Sequence, residues 1–274
     1  MNKKSISCVV VGAAGRMGQR ICRLILDSED FVLAGATESS QSSCLGKSLK
    51  DAMGFPNSSV LIVEKPEEIS EAFDVVIDFT FPDVSMETVL FASREKKHAV
   101  IGTTGFSDEQ MKEIKRLSEK FPCVCAPNMS MGVNTLFKLV KDVAMVLKDG
   151  FDVEIMEIHH RHKKDAPSGT ALKIAQILAE SYGWDLSKTG VFQRKGLIGE
   201  RKAEEIGIQS LRAGDVVGEH MVLFGGSGER LEIIHRAQSR DCFAQGAIRA
   251  ARWIVGKPNG LYDMQDVLGL RGRE

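Results

Sequence analysis

Residues 157–171 read EIHHRHKKDAPSGTA and place three histidines, one arginine and two lysines in the six positions from His159 to Lys164. Such a run could ligate a metal, bind a nucleic acid, hold an anionic substrate or simply face solvent. For a metal, His159, His160 and His162 offer nitrogen ligands. Adjacent histidines at the end of an extended segment point to opposite faces, however, and no Cys, Glu or Asp at fixed spacing completes a tetrahedral set. For a nucleic acid, one basic knot without interleaved aromatics, in a chain of net charge −1, is a poor electrostatic footprint. A solvated charged loop remains open. The anionic-substrate reading has more behind it. Pro167 cannot sit inside a helix and Ser168 is a good N-cap, so Ser168-Gly169-Thr170 opens a helix whose first N–H groups face outward. A carboxylate held there would be flanked by His160 and Lys163. Neighbouring cations push an imidazole pKa down and a bound dianion pulls it back up, which makes a histidine a usable acid near neutral pH.

A second pattern lies at the N-terminus. VVVGAAGRMGQRI sets Gly12, Gly15 and Gly18 after an apolar run and ahead of a helical one. In this variant of the dinucleotide fingerprint the first glycine makes the tight turn and the second lets backbone N–H groups approach a pyrophosphate. The third allows close packing of helix on strand. The next apolar run ends at Thr37-Glu38, where a carboxylate accepts hydrogen bonds from the adenine ribose. The competing reading is a tight β–α turn with an incidental Glu38. Two more loops, IGTTGF (Ile101 to Phe106) and APNMSMGVN (Ala126 to Asn134), follow candidate strands. They read equally well as ligand loops at the carboxyl edge of a sheet or as helix entries capped by Ser107 and Asn128.

The elements that must position these groups are legible as two patterns. Up to about residue 130, nearly continuous apolar runs predict strands over Ile6–Gly12, Phe31–Thr37, Val60–Val63, Val75–Thr80, His98–Thr104 and Cys123–Pro127. Helical stretches lie between several of them, over Arg16–Ser28, Val84–Lys96 and Asp108–Lys120. Unbroken apolar strands alternating with helices predict a Rossmann-type, doubly wound parallel sheet. Beyond it comes a helix over Val133–Lys148, then a strand, DVEIMEIHH, whose period-two reading sets Val153, Ile155 and Ile158 against Glu154 and Glu157, with Met156 ambiguous. A helix over Ser168–Gly183 follows, then three strands, the last two joined by a hairpin at Gly225-Gly226-Ser227-Gly228. This second part reads as an α+β domain with a mixed sheet. A closing helix over Cys242–Val255 and a short tail return to the first. The domains expected are therefore 1–130 plus 241–274, and 131–240.

Composition sets bounds. Hydrophobic residues make up 43% and charged residues 27%, the balance of a globular protein with a buried core. No segment is long and apolar enough to span a bilayer as a helix. Six cysteines without a Cys-x-x-Cys pair, three of them inside apolar runs, predict a reducing, cytoplasmic setting and no disulfide framework.

With these residues in view, the chain resembles the dihydrodipicolinate reductase family. VVVGAAGRMGQ, VVIDFT, VIGTTGF, APNMSMGVN, EIHHRHKKDAPSGTA, RAGDVVGEH, GERLEIIHRA and GLYDMQDVL are similar to the family's segments, in the family's order. The resemblance implies a dinucleotide domain joined to a substrate-binding and tetramerisation domain, hence a homotetramer. It implies reduction of a cyclic unsaturated dicarboxylate to tetrahydrodipicolinate by NADH or NADPH, on the diaminopimelate route to lysine. It implies His159 as the proton donor and Lys163 as its catalytic partner, with His160, Gly169, Thr170 and Arg240 on the substrate. It places the cofactor against Gly12, Ala13, Ala14, Gly15, Arg16, Met17, Glu38, Gly102, Thr103, Thr104, Ala126, Pro127, Asn128 and Met129. No metal, nucleic acid or membrane enters.

One departure bears on the cofactor. Many relatives carry an arginine after the acidic residue, where this chain has Ser39, then Ser40, Gln41, Ser42 and Ser43. Glu38 repels a 2′-phosphate and no cation in that loop offsets it, Arg16 being the partial exception, so NADH is expected over NADPH. Another two-domain Rossmann dehydrogenase would explain the glycine loop but not the His/Lys cluster. A non-catalytic NAD-binding sensor would have no need of His159 and Lys163, and both are intact.

Overall fold

The computed structural model describes residues 5–56 and 58–271. In chain order the elements are β1 Ile6–Val11, α1 Gly18–Leu26, β2 Phe31–Thr37, α2 Leu49–Met53, β3 Ile62–Val63, β4 Val75–Asp78, α3 Pro82–Glu95, β5 His98–Ile101, α4 Asp108–Ser118, β6 Pro122–Cys125 and α5 Met131–Val146. They continue with β7 Asp152–His159, α6 Gly169–Tyr182, α7 Leu186–Thr189, β8 Gly190–Val191, β9 Ile206–Arg212, β10 Gly218–Gly225, β11 Arg230–Ala237, α8 Asp241–Ile254, β12 Gly260–Tyr262 and α9 Met264–Val267. The chain divides into two compact units, Met1–Met131 with Asp241–Glu274, and Gly132–Arg240.

The first unit is built on a sheet of order β12-β6-β5-β4-β1-β2-β3, parallel throughout among the described residues. Its central strands are buried on both faces. Val9, Val10, Val75, Val76, Ile77, Val100 and Ile101 are all inaccessible to solvent, which is why their apolar runs do not alternate. The strand order reverses beside β1, so the glycine loop lies at the switch point where ligands of such sheets bind. Two differences from the sequence reading are worth giving. The expected strands end earlier, at Asp78, Ile101 and Cys125, because the residues beyond them form loops rather than ladder pairs. The tail is also more than a tail: Gly260–Tyr262 extends the sheet as β12, parallel to β6, and α9 follows with Asp263 as its N-cap. A three-residue strand carries too little pattern to be seen in sequence.

The second unit has a mixed sheet of order β11-β10-β7-β9-β8. β10 pairs antiparallel with β7 and β11, whereas β9 pairs parallel with β7. One face packs on α5 and α6 through Val153, Ile155, Ile208, Val222 and Phe224. The phase of β7 corrects the sequence reading. Strict alternation puts Val153, Ile155, Glu157 and His159 on the buried face, and Glu154, Met156 and Ile158 on the other. Grouping Ile158 with Val153 and Ile155 had followed hydrophobicity across a break in parity. Glu157 is in fact completely buried.

The start of α1 illustrates how closely the first unit is packed. Gly12 has φ of +69°, in the left-handed region. A Cβ on Gly18 would lie 2.1 Å from the Gly12 carbonyl oxygen, so the helix meets the turn with no room for a methyl. Gly18→Ala is expected to cost about 1–3 kcal/mol of stability by overpacking, read as a fall in thermal midpoint; an unchanged midpoint would contradict this packing.

Candidate functional site

The nucleotide loop comes first. Gly12 and Ala13 donate their N–H groups to the Thr37 carbonyl at 3.0 Å each, Gly15 donates to Gly12 at 3.0 Å, and Ala14 donates to Glu38 Oε1 at 2.7 Å. These donors are committed inside the protein, which leaves Arg16 and Met17, at the start of α1, to meet an anion. That helix start has no side-chain cap. A cleft of about 570 Å³ opens here, lined among others by Gly15, Arg16, Glu38, Ser39, Phe79 and Thr80. A turn with this tightness, an uncapped helix start and a carboxylate at the end of β2 fit a dinucleotide. Lys65 lines the same cleft, with Glu64 and Glu87. Sequence reasoning missed Lys65 because it lies 27 positions beyond Glu38 and only the parallel pairing of β2 with β3 brings the two segments together.

The remaining loop residues divide by what their side chains do. Asp78, wholly buried at the end of β4, accepts hydrogen bonds from the Thr80 amide at 2.8 Å, Thr80 Oγ1 at 2.7 Å and Thr88 Oγ1 at 2.6 Å. Thr103 Oγ1 joins at 3.4 Å and accepts from Ser85 Oγ at 2.7 Å. The Thr103 hydroxyl thus faces this network. Gly102 supports Phe79, whose ring would lie 2.1 Å from a Cβ there, and Thr104 is exposed. Ala13, Ala126 and Met129 are buried in the core, so only their backbones are available to a ligand. Pro127 is exposed, and Asn128 Oδ1 accepts from the Ser130 amide at 2.9 Å. Ser107 caps α4 as its composition suggests.

In the second unit β7 ends at His159, and the chain turns through the basic run into α6. Ser168 caps α6, accepting from the Ala171 amide at 3.2 Å. Beside this helix start Gly169 is open, with nothing within 4 Å of where a Cβ would stand. Thr170 follows it in the first turn. His160 is half-buried. Desolvation lowers its pKa, and the charge of Arg240, the other histidines and Lys163 lowers it further. The structure therefore brings His160, Lys163 and Arg240 into one positive field. Lys163 Nζ lies 2.9 Å from Asp165 Oδ2. Among the described residues no group of three or more His, Cys, Asp or Glu could hold a metal ion, and no helix is long and apolar enough to cross a membrane.

Beneath this surface lies a buried polar core that the sequence did not announce. Glu157 accepts a short hydrogen bond from His159 Nδ1. Arg212, at the end of β9, spans the carboxylate with both terminal nitrogens at 2.9 Å, and the Ser168 amide donates to Oε1 at 3.2 Å. Burial opposes ionisation of Glu157. The hydrogen bonds from His159, Arg212 and Ser210 outweigh it and hold the carboxyl at about 2. His220, on β10, sets its ring edge-on to His159 with centroids 5.2 Å apart, and its Nε2 is 3.0 Å from Ser168 Oγ. Burial and the charge of His159 push the His220 pKa down to about 3.

Both shifts tie stability to pH with the same sign. Unfolded His220 takes up a proton below about 6.5 and the folded imidazole only near 3, so its contribution is complete above pH 6.5 and is lost between the two. Glu157 contributes above about 4.5 and loses its effect as pH falls towards 2. The free energy of unfolding, read from denaturant titrations, should fall from pH 6.5 downward. His220→Gln should flatten that slope between pH 6.5 and 4.5 by about 1.4 kcal/mol per pH unit; an equal slope in the variant would refute the assignment.

Comparison with known proteins agrees with this architecture. The pattern of "dihydrodipicolinate reductase, N-terminus" matches residues 6–129 and that of "dihydrodipicolinate reductase, C-terminus" matches residues 132–268. The 4-hydroxy-tetrahydrodipicolinate reductase of Syntrophus aciditrophicus is 52% identical over 266 residues, covering 97% of this chain and 99% of that one. The enzyme of the same name from Syntrophobacter fumaroxidans is 52% identical, covering 97% and 100%. Among solved structures, the dipicolinate-bound dihydrodipicolinate reductase from Paenisporosarcina sp. TG-14 superposes with a TM-score of 0.76 at 28% identity, covering 96% of this chain and 98% of that one. With both domain patterns and half of all positions shared along its length, the chain belongs to the dihydrodipicolinate reductase family.

Proposed function

We propose that this protein reduces 4-hydroxy-tetrahydrodipicolinate to tetrahydrodipicolinate with a reduced nicotinamide dinucleotide, in lysine synthesis by the diaminopimelate route. The observation that carries the reading is the start of α6. The start of the helix at Gly169, which is open where a side chain would stand, followed by Thr170 and beside His160, Lys163 and Arg240, is suited to a carboxylated ring, and a histidine held by a buried carboxylate stands at the end of the neighbouring strand. Arg16, Met17 and Glu38 would hold the cofactor in the cleft they line, and the chemistry it would supply there is the hydride. The chain's own residues do the rest. His160, Thr170, Arg240 and the backbone at Gly169 hold the carboxylates. Loss of the 4-hydroxyl as water gives the conjugated ring, and addition of hydride to it leaves an electron pair to protonate. With Nδ1 engaged by Glu157, His159 delivers the proton from Nε2. Lys163, poised against Asp165, stabilises the negative charge as it develops.

A coupled assay tests this, with substrate formed in situ from pyruvate and aspartate semialdehyde and loss of reduced nicotinamide followed. The protein should turn over rapidly, and His159→Gln should lower kcat by about 10²- to 10⁴-fold, the usual worth of a positioned acid. No oxidation with dinucleotide binding intact would instead favour an NAD-binding sensor.

The cofactor reading is NADH over NADPH. Glu38 reaches over the loop to the Ala14 amide, Ser39 and Ser40 carry no charge, and Glu64 and Glu87 add to the acidity around Lys65 and Arg16. A 2′-phosphate beside these carboxylates should cost at least about tenfold in kcat/KM, and Glu38→Gln should narrow the gap. Equal kcat/KM for both cofactors would contradict it.

Two further readings complete the proposal. The face of the second sheet away from α5 and α6 carries Met156, Ile158, Met221, Leu223, Leu211 and Ile234, half-buried to exposed. Such a face suits cover by a second copy, in keeping with a homotetramer, and light scattering should return the mass of four chains rather than one. Six free cysteines, two of them wholly buried in strands, suit a reducing cytoplasm.

A further inference from the structure

We propose that Glu157 is a positioning residue for proton transfer, and that Arg212 and Gly218 complete the seat in which it holds His159; the inference rests on His159 being the acid. Glu157 stands on β7, two residues before His159 on the same face, and is wholly buried. Its Oε2 receives His159 Nδ1 and one nitrogen of Arg212, and its Oε1 receives the other nitrogen and the Ser168 amide. Four donors on one carboxylate leave it no freedom to rotate. The neutral imidazole is thereby committed to one orientation and to the Nδ1–H tautomer, so that the proton it gains and gives up is the one on Nε2. On the opposite side of the ring Nε2 lies beside Gly218 at the start of β10, where a Cβ would stand 2.9 Å away and crowd it. His159 therefore sits between a carboxylate and a strand backbone.

Arg212 extends the same clamp to the second catalytic group. Its Nη2 donates to the Asp165 carbonyl at 2.6 Å, and the Asp165 side chain pairs with Lys163 Nζ at 2.9 Å. One guanidinium thus fixes the carboxylate behind the acid and the loop that presents the lysine. The charged and titratable groups around this seat are Arg212 from β9, His220 from β10, and His160 and Lys163 from the loop after β7. Replacing Glu157 would leave the imidazole among cations with no anion to balance them.

The test compares Glu157→Gln, Gly218→Ala, His159→Gln and the Glu157→Gln/His159→Gln double variant, with dinucleotide binding and thermal midpoint as checks of folding. Glu157→Gln should lower kcat by about 10- to 100-fold while substrate KM stays within about threefold. The alkaline limb of its kcat profile should move to lower pH, because the protonated ring has lost its counter-charge. In the double variant the loss should equal that of His159→Gln alone. Gly218→Ala keeps the ion pair and displaces the ring, so it should also lower kcat; it decides the matter if Glu157→Gln does not fold. A wild-type kcat and pH profile in the folded variant, or an undiminished extra loss in the double variant, would overturn the positioning role. A wild-type rate in His159→Gln would overturn the assignment of the acid instead, which keeps the two failures apart.

Discussion

A carboxylate with no access to solvent is costly unless every lone pair has a donor, and Glu157 meets that condition through three different elements of the second unit. Arg212 comes from β9, the Ser168 amide from the start of α6, and His159 from β7 itself. Satisfying this one charge therefore fixes where the strand ends, where the helix begins and how the imidazole lies. The parallel register of β9 on β7, which sets Arg212 opposite His159, is the geometric condition for it. Removing one partner of such a pair leaves a buried uncompensated charge, a loss of about 3–5 kcal/mol in comparable cases. The arrangement is dear to build and hard to alter, as expected of a site whose precision matters.

The first unit solves a similar problem at Asp78. It too is a buried carboxylate at the end of a central strand, and its donors are the amide and hydroxyl of Thr80 in the loop after β4, the hydroxyl of Thr88 in α3 and that of Thr103 in the loop after β5. Thr80 and Thr103 are drawn inward, and the loops at the carboxyl edge of the sheet are held in place around the glycine turn. Gly12 and Gly18 then allow a close approach of turn and helix that no side chain would permit. Binding groups on loops are thus given the rigidity of the strands behind them.

Much of this was legible beforehand, for physical reasons. Strands buried on both faces must be continuously apolar, so β1, β4 and β5 announced a parallel sheet. Glycine spacing reports steric limits that act within a few residues, and so does Ser168 as a cap. Groups whose meaning depends on distant partners were not legible. Glu157 looked like an outward polar residue because its partner Arg212 is 55 positions away, although strict parity with Val153 and Ile155 would have revealed it. Lys65 reaches the nucleotide cleft only through the pairing of β3 with β2. The inward turn of the Thr103 hydroxyl depends on Asp78, 25 positions earlier, and β12 is too short to carry a pattern.

The central claim is that the buried carboxylate dictates the state of the histidine. The most direct measurement is the ¹⁵N NMR spectrum of the ring of His159, assigned by its loss in His159→Gln and recorded at a pH where the imidazole is neutral. The account predicts a single tautomer, with Nδ1 carrying the proton and Nε2 unprotonated. A ring protonated on Nε2, or a free mixture of both tautomers, would show that Glu157 does not set the orientation of the acid and would contradict it.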